Sequence, residues 1–279
     1  MITVISIINN RHIAKNYLLK GLDKQTAKYE LLLVDNTASV FTSGAKANNT
    51  TASKASGDYL VFIHQDVLLR SKAVLQLIED QLSTLSRVGL AAAVGMIKPR
   101  VINQFEAYTR YLVLLRLGLG PLWFRHYGRG NNLHGLNMSP WGGLFIKDPV
   151  SVQTVDEFLL VVPARIFERT KFDEVTCSDW HLFGTDYSLS IQRKGYKTFV
   201  LPISVFHRSK GSISVQYVQT LAKVLEKHKE EKVVNTPWGL YPTNPSFRSL
   251  SSKIGDVIGW PYGRKIAASN LLYQESSAA

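Results

Sequence analysis

The stretch DYLVFIHQD, residues 58–66, is the strongest indication of the fold because it joins an apolar run to three polar side chains. A continuous apolar run of this kind is typical of a strand buried on both faces of a parallel sheet. The run ends on His64, Gln65 and Asp66 and then resumes with Val67-Leu68-Leu69. This ending has two interpretations: an ordinary strand end that meets solvent, or a site that holds an acidic ligand with its counterion.

Three similar runs flank this stretch along the chain: ITVISII (2–8), YELLLVDN (29–36) and VGLAAAVGM (88–96). Apolar residues at helical spacing separate them, most clearly in 71–85, where Ser71 is predicted to cap the helix. Strands that alternate with helices in this way predict βαβ units. The fold class is therefore α/β, with a Rossmann-like, doubly wound, mostly parallel sheet flanked by helices.

Polar residues follow three of the predicted strands where each strand ends. These clusters are Asn9-Asn10, Asp35-Asn36 and His64-Gln65-Asp66. Ligands of doubly wound sheets bind beyond the carboxyl ends of the strands. One such cluster is ordinary for a strand end, but its recurrence at three neighbouring ends predicts a binding site.

The second half of the chain is predicted to be less regular. Residues 100–150 are rich in Gly, Asn and aromatic residues, which is typical of an inserted segment that forms loops or a lid. From Asn235 onward, Pro, Gly, Ser and aromatic residues predict a loosely structured tail packed on the body. The predicted elements between them are a strand pair or strand and helix at 151–169, a helix at 182–196 closed by Gly195, two strands at 197–211 and a basic amphipathic helix at 215–231.

Composition limits the class of protein. The chain has 279 residues, 45% of them hydrophobic, enough for one large domain or one domain with a subdomain. Its single cysteine, Cys177, excludes a disulfide framework and a cysteine-based zinc site, and a reduced, cytoplasmic protein is expected. The opening MITVISIINN lacks the features of a signal peptide. The apolar run 111–124 is too short to span a bilayer and is interrupted by Arg116.

The net charge of +12, from 33 basic and 21 acidic residues, suits an anionic partner. Nucleic acid, anionic lipid and phosphorylated metabolites all fit that charge. The sequence contains no helix-turn-helix cue, zinc finger or RNP-like motif, so no nucleic-acid partner is expected.

Six motifs in order resemble the GT-A glycosyltransferases of family 2, in particular the bacterial subgroup that reads HQD where others read DxD. The motifs run from residue 2 to about 212: ISIINNR, LLVDN, AKANNTTASKASGDYLVFIHQDV, VDEFLLVVPARIFERTKFDE, WHLFGTDYSLSIQRKGY and VFHRSKGS. The resemblance implies a GT-A catalytic domain at 1–212, with a nucleotide-sugar-binding half (1–98) and an acceptor half (99–212) that carries the insertion at about 100–150. Residues 213–279 are then a C-terminal helix and tail.

The resemblance also implies a metal site and a catalytic base. Asp66 corresponds to the metal-binding aspartate and His207 to a second ligand, and this oxygen and nitrogen pair suits Mn²⁺ or Mg²⁺. Asp186 of GTDYSL is implied as the base that takes the proton of the acceptor hydroxyl. Helix capping is the alternative role for Asp186, and Thr185 stands where the family has a first acidic residue.

Contacts to the two substrates are implied in the same way. His64 stands where many relatives have the first Asp of DxD, and it is expected to face the nucleotide rather than to bind the metal. Glu157 stands where relatives often have Gly. The residues implied to contact the nucleotide are Asn9, Asn10, Arg11, Asp35, Asn36, Lys46, Asn49, His64 and Gln65. The residues implied to contact the acceptor are Asp156, Glu157, Trp180 and His181.

The expected function is a metal-dependent, inverting glycosyltransferase of bacterial surface polysaccharide biosynthesis. Its partners are then a nucleotide-diphosphate-sugar donor and a glycan or lipid-linked acceptor. The basic 223–232 segment or the 248–265 tail is a candidate for peripheral contact with an anionic membrane. The alternative is a catalytically silent sugar-nucleotide-binding protein on the same fold.

Overall fold

The computed structural model describes residues 1–100, 103, 106, 109, 120–135, 138–141, 143–209 and 213–244. Its strands in chain order are β1 (Ile2–Ile8), β2 (Tyr29–Asp35), β3 (Tyr59–Ile63), β4 (Val67–Leu69), β5 (Val88–Ala92), β6 (Val94–Met96), β7 (Gly128–Gly130), β8 (Asn132–His134), β9 (Ser139–Trp141), β10 (Val150–Ser151), β11 (Thr154–Val155), β12 (Leu159–Pro163), β13 (Lys197–Val200), β14 (Val205–His207), β15 (Val233–Thr236) and β16 (Gly239–Pro242). Its helices are α1 (Arg11–Ala14), α2 (Lys20–Leu22), α3 (Gly44–Ala52), α4 (Val74–Thr84), α5 (Gly120–Tyr127), α6 (Ala164–Phe167), α7 (Phe183–Arg193) and α8 (Val215–Lys227), and a π-helical turn (Lys15–Leu19) joins α1 to α2.

A seven-stranded mixed sheet forms the centre of the described part of the chain. Its strand order is β10-β13-β5-β12-β3-β1-β2. β1, β2, β3, β5 and β13 run in one direction, whereas β12 and β10 run in the other. The predicted α/β fold with a mostly parallel sheet is confirmed.

Both faces of the central sheet are covered, which is why its strands read as continuous apolar runs. Alternate residues of β3 point to opposite layers: Leu60 and Phe62 join the core under α7 and α8, and Val61 and Ile63 join the core under α4. This period of two follows from the pleat of a strand. Burial on both sides holds β3 firmly and so fixes the position of the loop that follows it.

The apolar run at 88–96 was expected to form one strand and is split between two sheets, and the strand predicted at 58–66 ends at Ile63 and is followed by a separate strand at 67–69. β3 lies in the central sheet, whereas β4 belongs to a second sheet with the order β4-β14-β8-β9. In the same way β5 is central and β6 belongs to a three-stranded sheet, β11-β6-β7. The apolar pattern reports burial and not the pairing partner, so it could not show the change of sheet. His64, Gln65 and Asp66 therefore form the crossing between two sheets.

Two local predictions are wrong. Ser71 does not cap α4: the N-cap position is Ala73, and Ser71 Oγ accepts a hydrogen bond from the Ala73 N–H at 3.2 Å one turn earlier. The segment after Asn235 is not uniformly loose, because β15 and β16 pair as an antiparallel hairpin. Gly195 does close α7 as predicted, with a φ of +83° that favours glycine.

Several expectations lie outside the described residues. The 245–279 part of the tail, and with it the basic 248–265 segment, is not described, and neither is most of 101–119. Within the described residues, no helix combines the length and apolar character needed to cross a membrane.

Candidate active site

A cleft of about 400 Å³ opens at the carboxyl ends of β1 and β3. This is the edge at which ligands of such sheets bind. The cleft is lined by Ile7, Asn9, Asn36, Asn48, Phe62, Ile63, His64, Gln65, Asp66, His134, Asp156, Glu157, Trp180, His181, Phe183, His207, Ser209 and Trp238. Residues from both halves of the chain therefore meet at one site.

His64, Asp66 and His207 form a cluster in the wall of this cleft. One ligating atom from each lies within 4.8 Å of the others. His64 and Asp66 come from the loop after β3, and His207 ends β14, where it pairs with Val67 of β4. His207 Nε2 is 3.4 Å from Asp66 Oδ1. The split of the apolar run between two sheets is what brings the three side chains together.

The donor set of this cluster fits a divalent cation. Both ring nitrogens of His207 are buried, and neither has a hydrogen-bond partner among the described residues. Burial would raise the pKa of Asp66, but His207, His64 and the Ser209 N–H together lower it to about 2. Desolvation, and then the nearby His207, lower the pKa of His64 to about 4. An ionised carboxylate and neutral imidazoles are the protonation states that metal binding requires.

His64 is thus positioned differently from the prediction. It was expected to face the nucleotide, with Asp66 and His207 as the ligand pair. Its ring lies 5.7 Å from that of His207, centre to centre, and it belongs to the same potential ligand group. Three protein ligands leave coordination positions open for substrate oxygens.

None of the described residues that line the cleft is lysine or arginine. The charge of an anionic ligand in this cleft is therefore not neutralised by a guanidinium or an ammonium group from those residues. A cation held by His64, Asp66 and His207 is the chemically consistent counterion.

The carboxylates Asp156 and Glu157 also line the cleft, in the turn between β11 and β12. Burial raises the pKa of Asp156, although His207 opposes the shift. Burial and the adjacent Asp156 raise the pKa of Glu157 well above its usual value. Glu157 Oε1 accepts a hydrogen bond from the Gly184 N–H at 3.2 Å, which anchors the carboxylate at the N-terminus of α7. An N-terminal N–H of a helix stabilises an anion.

Trp180 and His181 lie in the loop before α7 and also line the cleft, as the acceptor predictions require. The ring of Trp180 is 40% exposed. His181 Nε2 is 3.3 Å from Ser214 Oγ, and burial lowers the pKa of His181 although Asp179 opposes the shift. The four residues predicted on the acceptor side therefore do lie together.

Asp186, predicted as the catalytic base at a helix start beside the cleft, does not line the described cleft wall. It is 1% exposed and is absent from the cleft wall. Its Oδ2 accepts a hydrogen bond from Lys227 Nζ at 2.8 Å and its Oδ1 one from His228 Nε2 at 2.7 Å. The reason is the packing of α8, whose C-terminal end meets α7 and places two donors against this carboxylate. The motif alone could not show that contact.

Of the residues predicted to contact the nucleotide, four line the cleft: Asn9, Asn36, His64 and Gln65. Gln65 Oε1 accepts hydrogen bonds from the N–H groups of Asn9 at 3.0 Å and Asn10 at 2.9 Å, which ties the end of β1 to the loop after β3. The Asn36 amide is bonded to the backbone of Phe41 at 2.8 and 3.0 Å. These hydrogen bonds of the Gln65 and Asn36 side-chain amides stabilise the conformation of the cleft wall.

Five residues predicted to contact the nucleotide are absent from the described cleft wall: Asn10, Arg11, Asp35, Lys46 and Asn49. Asn10 caps α1 by accepting from the Ile13 N–H at 3.0 Å. Asp35 accepts from Thr37 Oγ1 at 2.7 Å and pairs with Arg11, and these contacts, Thr37 first, lower its pKa to about 2. Lys46 is exposed on α3.

Asn49 faces away from the cleft because of its position on α3. Its amide is bonded to the backbone of Phe172, with N–H···O contacts of 2.9 and 3.1 Å. The preceding residue, Asn48, lines the cleft instead. Consecutive helical residues point about 100° apart, so only one of the two adjacent asparagines faces the cleft.

Four polar or tryptophan residues of the cleft were not singled out from the sequence: Asn48, His134, Ser209 and Trp238. His134 reaches the cleft because β8 pairs with β14, which places its ring 4.9 Å from that of His207. Ser209 lies two residues after His207, and its N–H donates to Asp66 Oδ2 at 3.1 Å. Trp238 comes from the β15–β16 hairpin. Asn48 and Ser209 had a local signal, because each lies within one of the six motifs.

Comparison with known proteins places the fold. No protein-family model matches the chain, and no curated protein matches it in sequence. Among solved structures, the mannosyltransferase PcManGT from Pyrobaculum calidifontis, in complex with GDP-Man and Mn²⁺, is similar with a TM-score of 0.51 and 14% identity, over 100% of this chain and 75% of that one. GalNAc-T7 with UDP, GalNAc and Mn²⁺ is similar with a TM-score of 0.51 and 12% identity, over 81% of this chain and 48% of that one.

At 12–14% identity, the similarity to these solved structures shows the fold alone. The chain has the α/β fold of the GT-A-type glycosyltransferases, as its sequence motifs predicted. The family 2 subgroup with its HQD motif stays a prediction.

Proposed function

We propose that the protein is a metal-dependent, inverting glycosyltransferase that moves a sugar from a nucleotide-diphosphate sugar to a glycan or lipid-linked acceptor. The observation that carries the proposal is the cluster of His64, Asp66 and His207 in a cleft without lysine or arginine among its described wall residues. This cluster lies at the ligand-binding edge of a fold that two nucleotide-sugar-binding glycosyltransferases share. Such a cleft needs a cation before it binds a diphosphate.

Mn²⁺ or Mg²⁺ is the proposed cofactor. The cation would neutralise the charge that develops on the leaving diphosphate. His64, Asp66 and His207 would hold it, and two imidazoles in the ligand set favour Mn²⁺ over Mg²⁺. Asn9, Asn36 and Gln65 are proposed to contact the nucleotide on the adjacent wall, with Asp35 and Arg11 further out.

Glu157 is proposed as the catalytic base in place of Asp186. A base needs access to the acceptor hydroxyl, and Glu157 lines the cleft. Both oxygens of Asp186 instead accept hydrogen bonds from Lys227, the last residue of α8, and from His228, which follows it. Asp156 and His181 are proposed to position the acceptor next to it.

The proposed reaction is a single displacement. The acceptor oxygen forms a bond to the anomeric carbon while the bond from that carbon to the diphosphate oxygen breaks. The leaving diphosphate takes the electron pair of the broken bond, and Glu157 takes the proton of the hydroxyl. One displacement inverts the anomeric configuration, so ¹H NMR of the product linkage tests this point.

Donor binding tests the proposal directly. Isothermal titration with UDP and with GDP, each with and without Mn²⁺, is expected to give binding that depends on the metal. Asp66→Ala should weaken that binding, whereas Asp148→Ala, which removes an exposed carboxylate outside the cleft wall, should not. Metal-independent binding, or equal effects of the two variants, would count against the proposed metal site.

The burial of Asp186 favours one alternative, a catalytically silent sugar-nucleotide-binding protein. The two functions differ in turnover. If the protein is a transferase, it should slowly release nucleoside diphosphate when it is incubated with Mn²⁺ and a panel of nucleotide sugars, because water then acts as the acceptor. Tight, metal-dependent binding without any release from any donor would support the silent alternative.

A cytoplasmic place in bacterial surface polysaccharide biosynthesis is proposed from the resemblance of the sequence motifs alone. Contact of the 223–232 segment with an anionic membrane has less support, because its lysines have partners. Lys227 contacts Asp173 and Asp186 at 2.8 Å each, and Lys229 lies 3.4 Å from Glu226. Co-sedimentation with vesicles of anionic and of neutral lipid tests the contact.

A further inference from the structure

We propose that Trp238 and Trp180 form an acceptor subsite that binds an uncharged sugar ring. The inference rests on the proposed transferase function and names the chemical class of the acceptor. Both rings line the same cleft as the acceptor-side carboxylates Asp156 and Glu157.

Trp238 lies in a turn whose backbone conformation does not itself favour a large aromatic residue. β15 and β16 pair up to Thr236 and Gly239, which leaves Pro237 and Trp238 as a two-residue loop. Proline suits such a loop because its φ is preset, but the turn itself favours Gly, Asn or Asp over a large aromatic residue. Trp238 is nevertheless half-buried, packs against the main apolar core and lines the cleft. Contacts of the ring with the core and with the cleft, rather than the turn, explain the residue.

The hairpin that carries Trp238 is rigidly held through Asn235, which is fully buried. Asn235 Oδ1 accepts a hydrogen bond from Trp123 Nε1 at 3.0 Å, and its Nδ2 donates to the Ile97 carbonyl at 3.1 Å. Its N–H donates to Gln153 Oε1 at 3.0 Å, and Gln153 Nε2 donates to the Val233 carbonyl at 2.8 Å. Trp238 is therefore presented to the cleft from a fixed base, which lowers the entropy cost of binding.

Trp180 is fixed in a comparable way through its neighbour Asp179. The Asp179 carbonyl accepts from the Gly44 N–H at 2.9 Å, and its carboxylate accepts from the His181 N–H at 2.7 Å and from Thr220 Oγ1 at 2.8 Å. A Cβ added to Gly44 would come within 3.3 Å of the Trp180 ring, so the ring lies close against α3. The ring is nevertheless 40% exposed.

Aromatic faces beside carboxylates match the two kinds of surface on a sugar. The C–H face of a pyranose packs on the electron-rich face of an indole, and its hydroxyl groups donate to carboxylates. A phosphate acceptor fits poorly once Asp156 and Glu157 are ionised, because the two carboxylates then repel it. The described cleft wall has no lysine or arginine to compensate for that repulsion.

Saturation-transfer NMR tests the subsite without a donor. The probes are methyl glycosides of glucose, galactose, mannose and N-acetylglucosamine, each compared with its sugar 1-phosphate in EDTA, so that no metal attracts the phosphate. At least one methyl glycoside should bind more tightly than its phosphate. Trp238→Leu and Trp180→Leu should each weaken that glycoside about 10-fold, because an aromatic contact contributes about 0.5–1.5 kcal/mol beyond the area it buries.

Matched variants keep the test sharp. Trp238→Phe retains an aromatic face and should stay within about 3-fold of the wild type. Phe145→Leu changes an aromatic residue that is 73% exposed outside the cleft wall and should have no effect. The subsite proposal is refuted if no glycoside receives saturation, if the phosphates bind more tightly, or if the leucine variants bind like the wild type. The donor titration is a separate experiment from the glycoside test, so the proposed transferase function and the proposed acceptor subsite are judged separately.

Discussion

The Asp186→Asn substitution separates a structural role of Asp186 from a catalytic one. The two carboxylate oxygens accept hydrogen bonds from Lys227 Nζ at 2.8 Å and from His228 Nε2 at 2.7 Å, at a residue that is 1% exposed. An amide offers one acceptor oxygen and one NH₂ donor, so one of the two donors loses its partner. A buried donor left without an acceptor costs about 1–3 kcal/mol.

The lost charge adds to this cost, but only in part. Lys227 keeps Asp173 at 2.8 Å, and its side chain is 29% exposed. Loss of the Asp186 charge therefore lowers the free energy of unfolding by less than the amount for breaking a fully buried ion pair, which is about 3–5 kcal/mol. We expect the free energy of unfolding to fall by about 2–4 kcal/mol in total. For a chain of this size that corresponds to a melting temperature lower by about 3–7 °C.

Calorimetry and a turnover assay well below the melting transition measure the two effects separately. The Asp186→Asn variant should unfold at a lower temperature than the wild type. It should keep most of its turnover, because the substituted group does not line the cleft. Glu157→Gln is the matched control, since it replaces a cleft carboxylate with the same amide chemistry. It should melt near the wild-type temperature and lose turnover. An Asp186→Asn protein with unchanged stability and no turnover would refute the structural role and restore Asp186 as the base.

Three further predictions follow from buried groups. Because burial and Asp156 raise the pKa of Glu157 above 4.5, turnover should rise with pH as Glu157 loses its proton, and Glu157→Gln should remove that rise; an unchanged pH profile in the variant would contradict the assignment. Cys177 is buried and burial raises the pKa of its thiol, so a thiol reagent should label it only after unfolding, and rapid labelling of the native protein would contradict the fold. Asn235→Ala should lower the free energy of unfolding by about 1–3 kcal/mol and weaken glycoside binding, whereas intact binding would show that the hairpin does not position Trp238.

The central sheet was predictable because burial on both faces leaves a direct mark on the sequence. A strand that must bury alternate side chains in two layers can use few polar residues, so β1 and β3 were visible as runs. Their polar ends were visible for the same reason, since side chains beyond the sheet edge no longer have to be buried. The change of sheet after β3 left no such mark, because β4 is also buried.

The acceptor side was predictable in its members but not in their roles. Asp156, Glu157, Trp180 and His181 were identified from two motifs, and they do meet at the cleft. The motif that suggested Asp186 carries no information about α8, which approaches from about 40 residues further along the chain. A carboxylate at a helix start has the same sequence pattern whether it faces a substrate or a buried lysine.

The amino-acid sequence by itself determined the α/β class, the positions of the central strands and the polar clusters at their ends. These properties depend on local burial and periodicity, which each segment carries on its own. Only the tertiary structure decided that His64 joins Asp66 and His207, that Asp186 turns onto the end of α8, and that Trp238 reaches the cleft. Each of these depends on which distant segment packs against the residue, and the pairing of distant segments is set by the whole fold rather than by any one stretch.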